Sequence, residues 1–121
     1  MSNPEILVLE DEALIAMDIE MTLAEAGFKQ VSVHSNAQSA LNRIDECRPM
    51  AAFLDFNLGN GKNSLTVAEK LKSHNIPFVF LTGYTDATVS LPSNLSDTKR
   101  IAKPFRSADL VKTINEIVPQ S

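Results

Sequence analysis

Short, nearly continuous apolar runs recur along the chain, and helical patterns separate them. Residues 5–9, 51–54 and 77–81 form three such runs, and a polar side chain follows each one directly. Runs of this length are typical of β-strands that are buried on both faces, because such strands have no face that must be polar. Residues 30–34 and 100–102 predict two further strands that are shorter or more polar.

The first two helices are predicted by the spacing of apolar residues and by their end signals. One helix follows Glu12 and ends at Gly27, since glycine readily adopts the left-handed conformation that terminates a helix. The next follows Asn36, a predicted N-cap, and ends before Pro49.

The second half of the chain contains two more predicted helices and two weaker segments. Residues 64–75 have helical spacing, and a last helix is predicted from the cap residue Ser107 to near Val118. Residues 56–64 predict a loop. Residues 85–99 also predict mainly loop, with one or two helical turns before a proline.

Five strand and helix units in alternation predict an α/β fold. We expect a doubly wound, five-stranded parallel sheet, (βα)5, with helices on both faces. The length of 121 residues suits one domain, residues 1–121, with no separate output domain. In such sheets the ligand site lies at the carboxyl ends of the strands, near the change in strand order.

Composition and charge exclude several classes of protein. The chain is 44% hydrophobic and 21% charged, with a net charge of −4, so a basic nucleic-acid surface is not expected. The one cysteine, Cys47, forms no internal disulfide and suits a reducing compartment. No basic leader or long apolar stretch indicates secretion or a membrane span, so we expect a cytoplasmic protein.

Polar side chains stand at the predicted strand ends. Glu10 and Asp11 follow the first strand, Asp55 the third, Thr82 the fourth and Lys103 the fifth. In a parallel sheet these ends meet at one edge, where the carboxylates would repel one another unless a cation lay between them. Carboxylate oxygens are the ligands that Mg²⁺ prefers, and we therefore predict a divalent metal site.

The same group of residues suggests phosphoryl transfer. A carboxylate can attack phosphorus, while a metal ion, an ammonium group and a hydroxyl neutralise charge on the phosphoryl oxygens. Asp55 is the predicted nucleophile because it stands alone at the end of a central strand. For Glu12 we favour a solvated side chain at the positive end of the first helix.

These motifs resemble the receiver domain of two-component response regulators over essentially the whole chain. The resemblance implies a flavodoxin-like fold and phosphorylation by a histidine kinase or a histidine phosphotransfer protein with Mg²⁺ or Mn²⁺ bound. It also implies a phosphoacceptor rather than a classical enzyme, able to catalyse its own phosphorylation from small donors and its own dephosphorylation. The matching segments are residues 7–12, 53–57, 80–84 and 102–105.

The resemblance implies a role for each matching residue. Asp55 would be the phosphoacceptor, and Thr82 and Lys103 would contact the phosphoryl oxygens. The metal ligands would be Glu10, Asp11, Asp55 and the backbone carbonyl of Asn57. The family also suggests a cis peptide bond before Pro104, which the sequence alone does not show.

Several positions depart from the family pattern. Gly59 stands where many receivers have proline, and Arg100 stands where the family usually has an aromatic switch residue. We hypothesise that Thr82, Gly83, Tyr84 and the segment after them form the switch instead. Met17 and Met21 are expected to pack in or near the core, although the family docks phosphodonors on this helix.

The leading functional hypothesis is a single-domain response regulator. It would signal through phosphorylation-dependent binding of an unidentified protein or through a phosphorelay, as a monomer or a weak phosphorylation-dependent dimer. The alternative is a pseudo-receiver, an interaction module of the same fold that does not use phosphate. A small hydrolase of phosphate esters is a distant third, because no second acid or base serves a leaving group.

Overall fold

The computed structural model describes residues 3–59, 62–83, 93–95 and 97–118. Five parallel strands form one sheet in the order β2-β1-β3-β6-β7, and two short antiparallel strands, β4 and β5, form a separate hairpin. The strands are β1 (Asn3–Leu9), β2 (Val31–His34), β3 (Pro49–Asp55), β4 (Asn57–Gly59), β5 (Lys62–Asn63), β6 (Phe78–Thr82) and β7 (Lys99–Ala102). The helices of the described part are α1 (Ala13–Glu25), α2 (Ala37–Cys47), α3 (Leu65–Ser73) and α4 (Ser107–Ile117).

The observed strand order confirms the predicted doubly wound sheet. The three strands predicted from apolar runs, β1, β3 and β6, occupy its centre, and the two more polar strands lie at its edges. Central strands need apolar residues on both faces because helices cover both faces of the sheet. The change in strand order lies between β1 and β3, where a ligand site is expected.

Two apolar clusters hold the layers together, one on each face of the sheet. Leu7 and Leu54 belong to the cluster under α2 and α3, whereas Val8 and Phe53 belong to the cluster under α1 and α4. Successive residues of a strand therefore pack in opposite clusters, because side chains along a β-strand point alternately to the two faces of the sheet. Each fully buried side chain of this size stabilises the fold by about 1.5–3 kcal/mol, so the strand ends are held by packing from both sides.

Local signals explain most helix ends. The side chain of Asn36 accepts a hydrogen bond from the backbone N–H of Ser39 at 2.9 Å, which confirms it as the N-cap of α2. Gly27, which follows α1, has a φ of +102°, a conformation that favours glycine. The last helix differs from the prediction, because Arg106 is its N-cap and Ser107 is its first residue. The Ser107 hydroxyl lies 3.3 Å from the hydroxyl of Thr22 on α1.

The connection between β3 and α3 also differs from the predicted loop, because it contains the β4–β5 hairpin. After β6, the structure describes a short 3₁₀ turn, Ser93–Leu95, whose Leu95 side chain is buried. Most of the predicted switch segment, residues 84–92, lies outside the described residues. No helix in the described part of the chain has the length and hydrophobicity needed to cross a bilayer.

A buried ion pair joins β1 to α2. The carboxylate of Glu5, which is almost fully buried, accepts hydrogen bonds from Nε and a terminal nitrogen of Arg43 at 2.9 and 2.5 Å. These hydrogen bonds lower the pKa of Glu5 although burial acts in the opposite direction. Removal of Arg43 would destabilise the fold, because the buried Glu5 carboxylate would lose its positively charged partner.

We predict that Arg43→Met will lower the urea midpoint of unfolding at pH 7 by about 1 M, because it leaves the Glu5 carboxylate buried without its arginine. Stability contributed by a carboxylate with a lowered pKa is present above its unfolded pKa and is lost as the pH falls through its folded pKa. The difference between wild type and variant should therefore shrink as the pH is lowered from 7 to 3.

Glu46→Gln is the matched control, since this exposed carboxylate lies 3.9 Å from the same guanidinium. Exposed pairs contribute little, so its midpoint should stay within about 0.3 M of wild type. Equal losses in the two variants would contradict the role of the buried pair.

Candidate functional site

The strand ends predicted to form a site do meet at one edge of the sheet. Asp55 is the last residue of β3 and Thr82 the last residue of β6, while Glu10 and Lys103 directly follow β1 and β7. The parallel register aligns Leu9 with Leu54 and Asp55 with Leu81, so the four strands finish at nearly the same level.

Three carboxylates lie close together at this edge. Glu10, Asp11 and Asp55 each offer an oxygen, and these oxygens all lie within 4.8 Å of one another. Glu10 is 1% exposed and Asp55 is 3% exposed, whereas Asp11 is open to solvent. Two buried negative charges are therefore joined by a third that solvent can reach, an arrangement that is unfavourable without a positive charge.

The ammonium group of Lys103 supplies positive charge inside the cluster. Its Nζ lies 2.8 Å from Oε2 of Glu10 and 3.2 Å from Oδ1 of Asp55. Its backbone N–H donates to the carbonyl of Thr82 at 2.8 Å, which ties the end of β7 to the end of β6. The Lys103–Pro104 peptide bond is cis, as the family resemblance suggested.

The residues present suit a divalent cation. Oε1 of Glu10 accepts a hydrogen bond from the backbone N–H of Glu12 at 3.2 Å, while its Oε2 has the Lys103 ammonium as its partner but accepts no well-directed hydrogen bond from the described residues. One ammonium group cannot balance three carboxylates. A buried acidic oxygen with unused acceptor capacity beside two more carboxylates provides hard oxygen donors of the kind that Mg²⁺ binds.

The electrostatics of the cluster shift the proton affinities of its members. Burial, together with a hydrogen bond and the charge of Glu10, raises the pKa of Asp55 to about 8, although Lys103 opposes the shift. Burial alone would lower the pKa of Lys103, but the two carboxylates outweigh burial and raise it. The lysine therefore stays charged at neutral pH, and the aspartate retains a proton unless further positive charge is supplied.

The other residues singled out in the sequence lie at different positions relative to the carboxylate cluster. Thr82 is buried at the end of β6, and Asn57 begins β4 two residues after Asp55. Arg100 lies on the edge strand β7 with its side chain exposed, and Tyr84 lies outside the described residues. Glu12 is exposed and is the N-cap of α1, in agreement with the solvated role expected for it.

An exposed apolar stripe on α1 corrects the expectation for its methionines. Leu14 is 82% exposed, and Met17 and Met21 are more than half exposed, so neither methionine packs in the core. The signal for exposure was their position, since these residues lie on the side of α1 away from Ile19 and Leu23. A pocket of about 280 Å³ lies beside this helix and the candidate site, lined by Ile15, Asp18, Lys103, Pro104 and Phe105.

Sequence reasoning missed Ser64, which directly precedes α3 and is completely buried. Its backbone N–H donates to the carbonyl of Phe56 at 3.2 Å, and the N–H of Phe56 donates to the carbonyl of Leu81 at 2.9 Å. Ser64 is thus connected to the residue that follows Asp55. A serine before a helical pattern was the available signal, but burial of its hydroxyl was not visible in the sequence.

Comparison with known proteins agrees with this architecture. Residues 6–115 match the family described as the response regulator receiver domain. The chain is 32% identical over 114 residues to the phyllosphere-induced regulator PhyR of Methylorubrum extorquens, a match that covers 93% of this chain and 42% of PhyR. It is 28% identical to the transcriptional regulatory protein PdtaR of Mycobacterium tuberculosis, covering 90% of this chain and 54% of PdtaR.

Among solved structures, SdrG from Sphingomonas melonis Fr1 superposes with a TM-score of 0.81 at 37% identity, covering 93% of this chain and 94% of SdrG. The chain spans about half the length of the curated relatives it matches. The strand order, the acidic edge of the sheet and the family match lead to one conclusion: this chain belongs to the response regulator receiver domain family.

Proposed function

We propose that this chain is a single-domain response regulator that accepts a phosphoryl group on Asp55 from a phosphohistidine. The observation that carries the proposal is the contact of Lys103 with both Glu10 and Asp55 at the carboxyl edge of the sheet. Asp55, the proposed nucleophile, is buried beside the ammonium group of Lys103 and the carboxylate of Glu10. A cytoplasmic location is part of the same proposal.

The proposed metal ligands are Glu10, Asp11, Asp55 and the backbone carbonyl of Asn57. Bound Mg²⁺ or Mn²⁺ would supply positive charge that favours the ionised form of Asp55 and offsets charge on the phosphoryl oxygens. The raised pKa of Asp55 supports this assignment, since a nucleophilic carboxylate must first lose its proton.

In the proposed transfer, an oxygen of Asp55 attacks phosphorus and forms an acyl phosphate. The bond between phosphorus and the donor's imidazole nitrogen breaks, and that nitrogen keeps the electron pair. The ammonium group of Lys103 then moves from Oδ1 of Asp55 to a negatively charged phosphoryl oxygen. The hydroxyl of Thr82 donates a hydrogen bond to a second phosphoryl oxygen. Hydrolysis reverses the modification when water attacks phosphorus and the Asp55 carboxylate leaves.

The donor is proposed to be a histidine kinase or a histidine phosphotransfer protein that contacts α1. The exposed side chains of Leu14, Met17 and Met21 provide apolar surface, and the pocket beside Lys103 provides a recess next to the reacting carboxylate. Exposed apolar patches of this kind commonly mark protein contacts. The downstream partner is another protein or a further member of a phosphorelay.

The exposed Arg100 favours the alternative that the chain is a pseudo-receiver, because the family usually has an aromatic switch residue at this position. If phosphate is used, the proposed switch is Thr82, Gly83, Tyr84 and the segment after them. Unchanged backbone chemical shifts over residues 82–100 on phosphorylation would count against this switch. The proposed oligomeric state is a monomer or a weak phosphorylation-dependent dimer.

We predict that incubation with acetyl phosphate and Mg²⁺ will add one phosphoryl group to the wild type and none to Asp55→Asn, because the amide lacks a nucleophilic carboxylate. Intact-mass spectrometry measures the adduct, which hydroxylamine should remove because it cleaves acyl phosphates. EDTA should suppress the reaction in the wild type.

Asp109→Asn is the matched control, since this exposed aspartate lies on α4 and is not one of the three clustered carboxylates. It should accept phosphate as the wild type does. An adduct that persists in Asp55→Asn would refute the assignment. Absence of any adduct, also with histidine phosphotransfer proteins as donors, would favour the pseudo-receiver.

The raised pKa of Asp55 also predicts how stability depends on pH. Between about pH 4 and pH 8 the folded protein keeps a proton that the unfolded chain has released, so the stability contributed by Asp55 is present at low pH and is lost as the pH rises. In EDTA at pH 8, Asp55→Asn should be more stable than wild type by about 1–2 kcal/mol, a value reduced by solvent screening.

Urea unfolding of both proteins at pH 5, 6, 7 and 8 measures this difference, which should grow with pH. Addition of Mg²⁺ at pH 8 should stabilise the wild type more than the variant and so narrow the gap. Parallel pH profiles for the two proteins would show that Asp55 carries no unfavourable charge.

A further inference from the structure

Ser64 has a buried hydroxyl without a hydrogen-bond partner. In the described part of the chain, Oε2 of Glu10 and Oγ of Ser64 are the buried side-chain oxygens without a hydrogen bond. Oε2 of Glu10 lies beside the ammonium group of Lys103, whereas the neutral hydroxyl of Ser64 gains no stabilisation from a charged partner. A buried unpaired hydroxyl is destabilising, and alanine, which lacks only the hydroxyl oxygen, would avoid that cost. Stability in this conformation therefore does not explain a serine here.

The backbone of Ser64 shows why its hydroxyl is unpaired. Ser64 occupies the N-cap position of α3, but its φ of −97° and ψ of 14° lie outside the extended region, and its side chain makes no capping hydrogen bond. Asn36 has the equivalent position in α2 with a ψ of 160°, and its side chain does cap the helix. A rotation of Ser64 toward that extended conformation would bring its hydroxyl toward the first-turn amides of α3.

A backbone hydrogen bond and the β4–β5 hairpin, in which Asn63 pairs with Asn57, connect this residue to the candidate site. The N–H of Ser64 donates to the carbonyl of Phe56, which lies between Asp55 and Asn57. The ring of Phe56 packs edge-on against Phe80 with centroids 5.6 Å apart, and its N–H donates to the carbonyl of Leu81, so the residue is anchored on the side of β6. A change in the backbone of residues 55–57 would therefore act on the hydrogen bond that the Ser64 N–H donates.

We propose that Ser64 is a positioning residue that caps α3 in the phosphorylated conformation and not in the conformation described above. The inference rests on the proposed function, since phosphorylation of Asp55 and use of the Asn57 carbonyl as a ligand are the events that reorient this backbone. Once the hydrogen bond to Phe56 is released, Ser64 turns to the extended conformation and its Oγ accepts from an amide of Thr66 or Val67. The new hydrogen bond favours the phosphorylated conformation only.

The test compares Ser64→Ala with Ser73→Ala, a matched substitution at the other end of α3, where the exposed hydroxyl donates to the carbonyl of Lys70 at 2.7 Å. Urea unfolding is measured in EDTA and again with Mg²⁺ and beryllofluoride, a stable mimic of the phosphoryl group. We expect Ser64→Ala to raise the midpoint in EDTA and to bind beryllofluoride about fivefold more weakly than wild type. Ser64→Thr, which keeps a hydroxyl, should restore the affinity.

Hydrogen exchange provides a second measurement that a purely structural role would not alter. In the wild type, the Thr66 or Val67 amide should become more protected when Mg²⁺ and beryllofluoride are added, and in Ser64→Ala it should not. If Ser64→Ala loses the same stability in both conditions, or binds beryllofluoride as Ser73→Ala does, this inference is wrong and the proposed function stands. If beryllofluoride fails to stabilise the wild type, both are wrong.

Discussion

The electrostatics of the candidate site depend on the contact of the Lys103 ammonium group with the buried carboxyl groups of Glu10 and Asp55. If both were ionised, Glu10 and Asp55, whose oxygens lie within 4.8 Å of each other, would repel by about 3–4 kcal/mol with an effective dielectric constant near 20. Lys103 offsets this repulsion only in part, because Asp11 adds a third negative charge at the mouth of the cluster. The remaining imbalance makes the site receptive to a cation, and burial together with the neighbouring Glu10 raises the pKa of Asp55.

The rest of the fold keeps these groups from moving apart. Each carboxylate follows a strand whose apolar residues are buried on both faces, so it cannot relax away from its neighbour without pulling a packed strand with it. The backbone hydrogen bond from Lys103 to Thr82 fixes the opposing charge in the same way. The clustered side chains are thus held by packing that lies well below them, so they cannot separate as they could in a flexible loop.

The sequence was sufficient to predict a doubly wound parallel sheet and a cluster of acidic side chains at its carboxyl edge. Both predictions depend on apolar runs that end in polar residues. Other features depend on contacts that no local pattern encodes. Ser107 begins α4 rather than capping it, and its hydroxyl lies beside Thr22 on another helix. The β4–β5 hairpin arises within a glycine-containing loop too short for a clear strand pattern. Met17 and Met21 are a different case, because their position on the side of α1 away from Ile19 and Leu23 was a local signal of their exposure.

Arg100 also affects the open edge of the sheet. β7 is an edge strand of four residues, so the side facing away from β6 presents backbone groups that no neighbouring strand of the sheet engages. Such edges can recruit a strand from another molecule, and long charged side chains oppose that recruitment because pairing would crowd and desolvate them. Lys99 and Arg100 stand exposed on this strand. These two cationic side chains therefore make this border a poor template for aggregation.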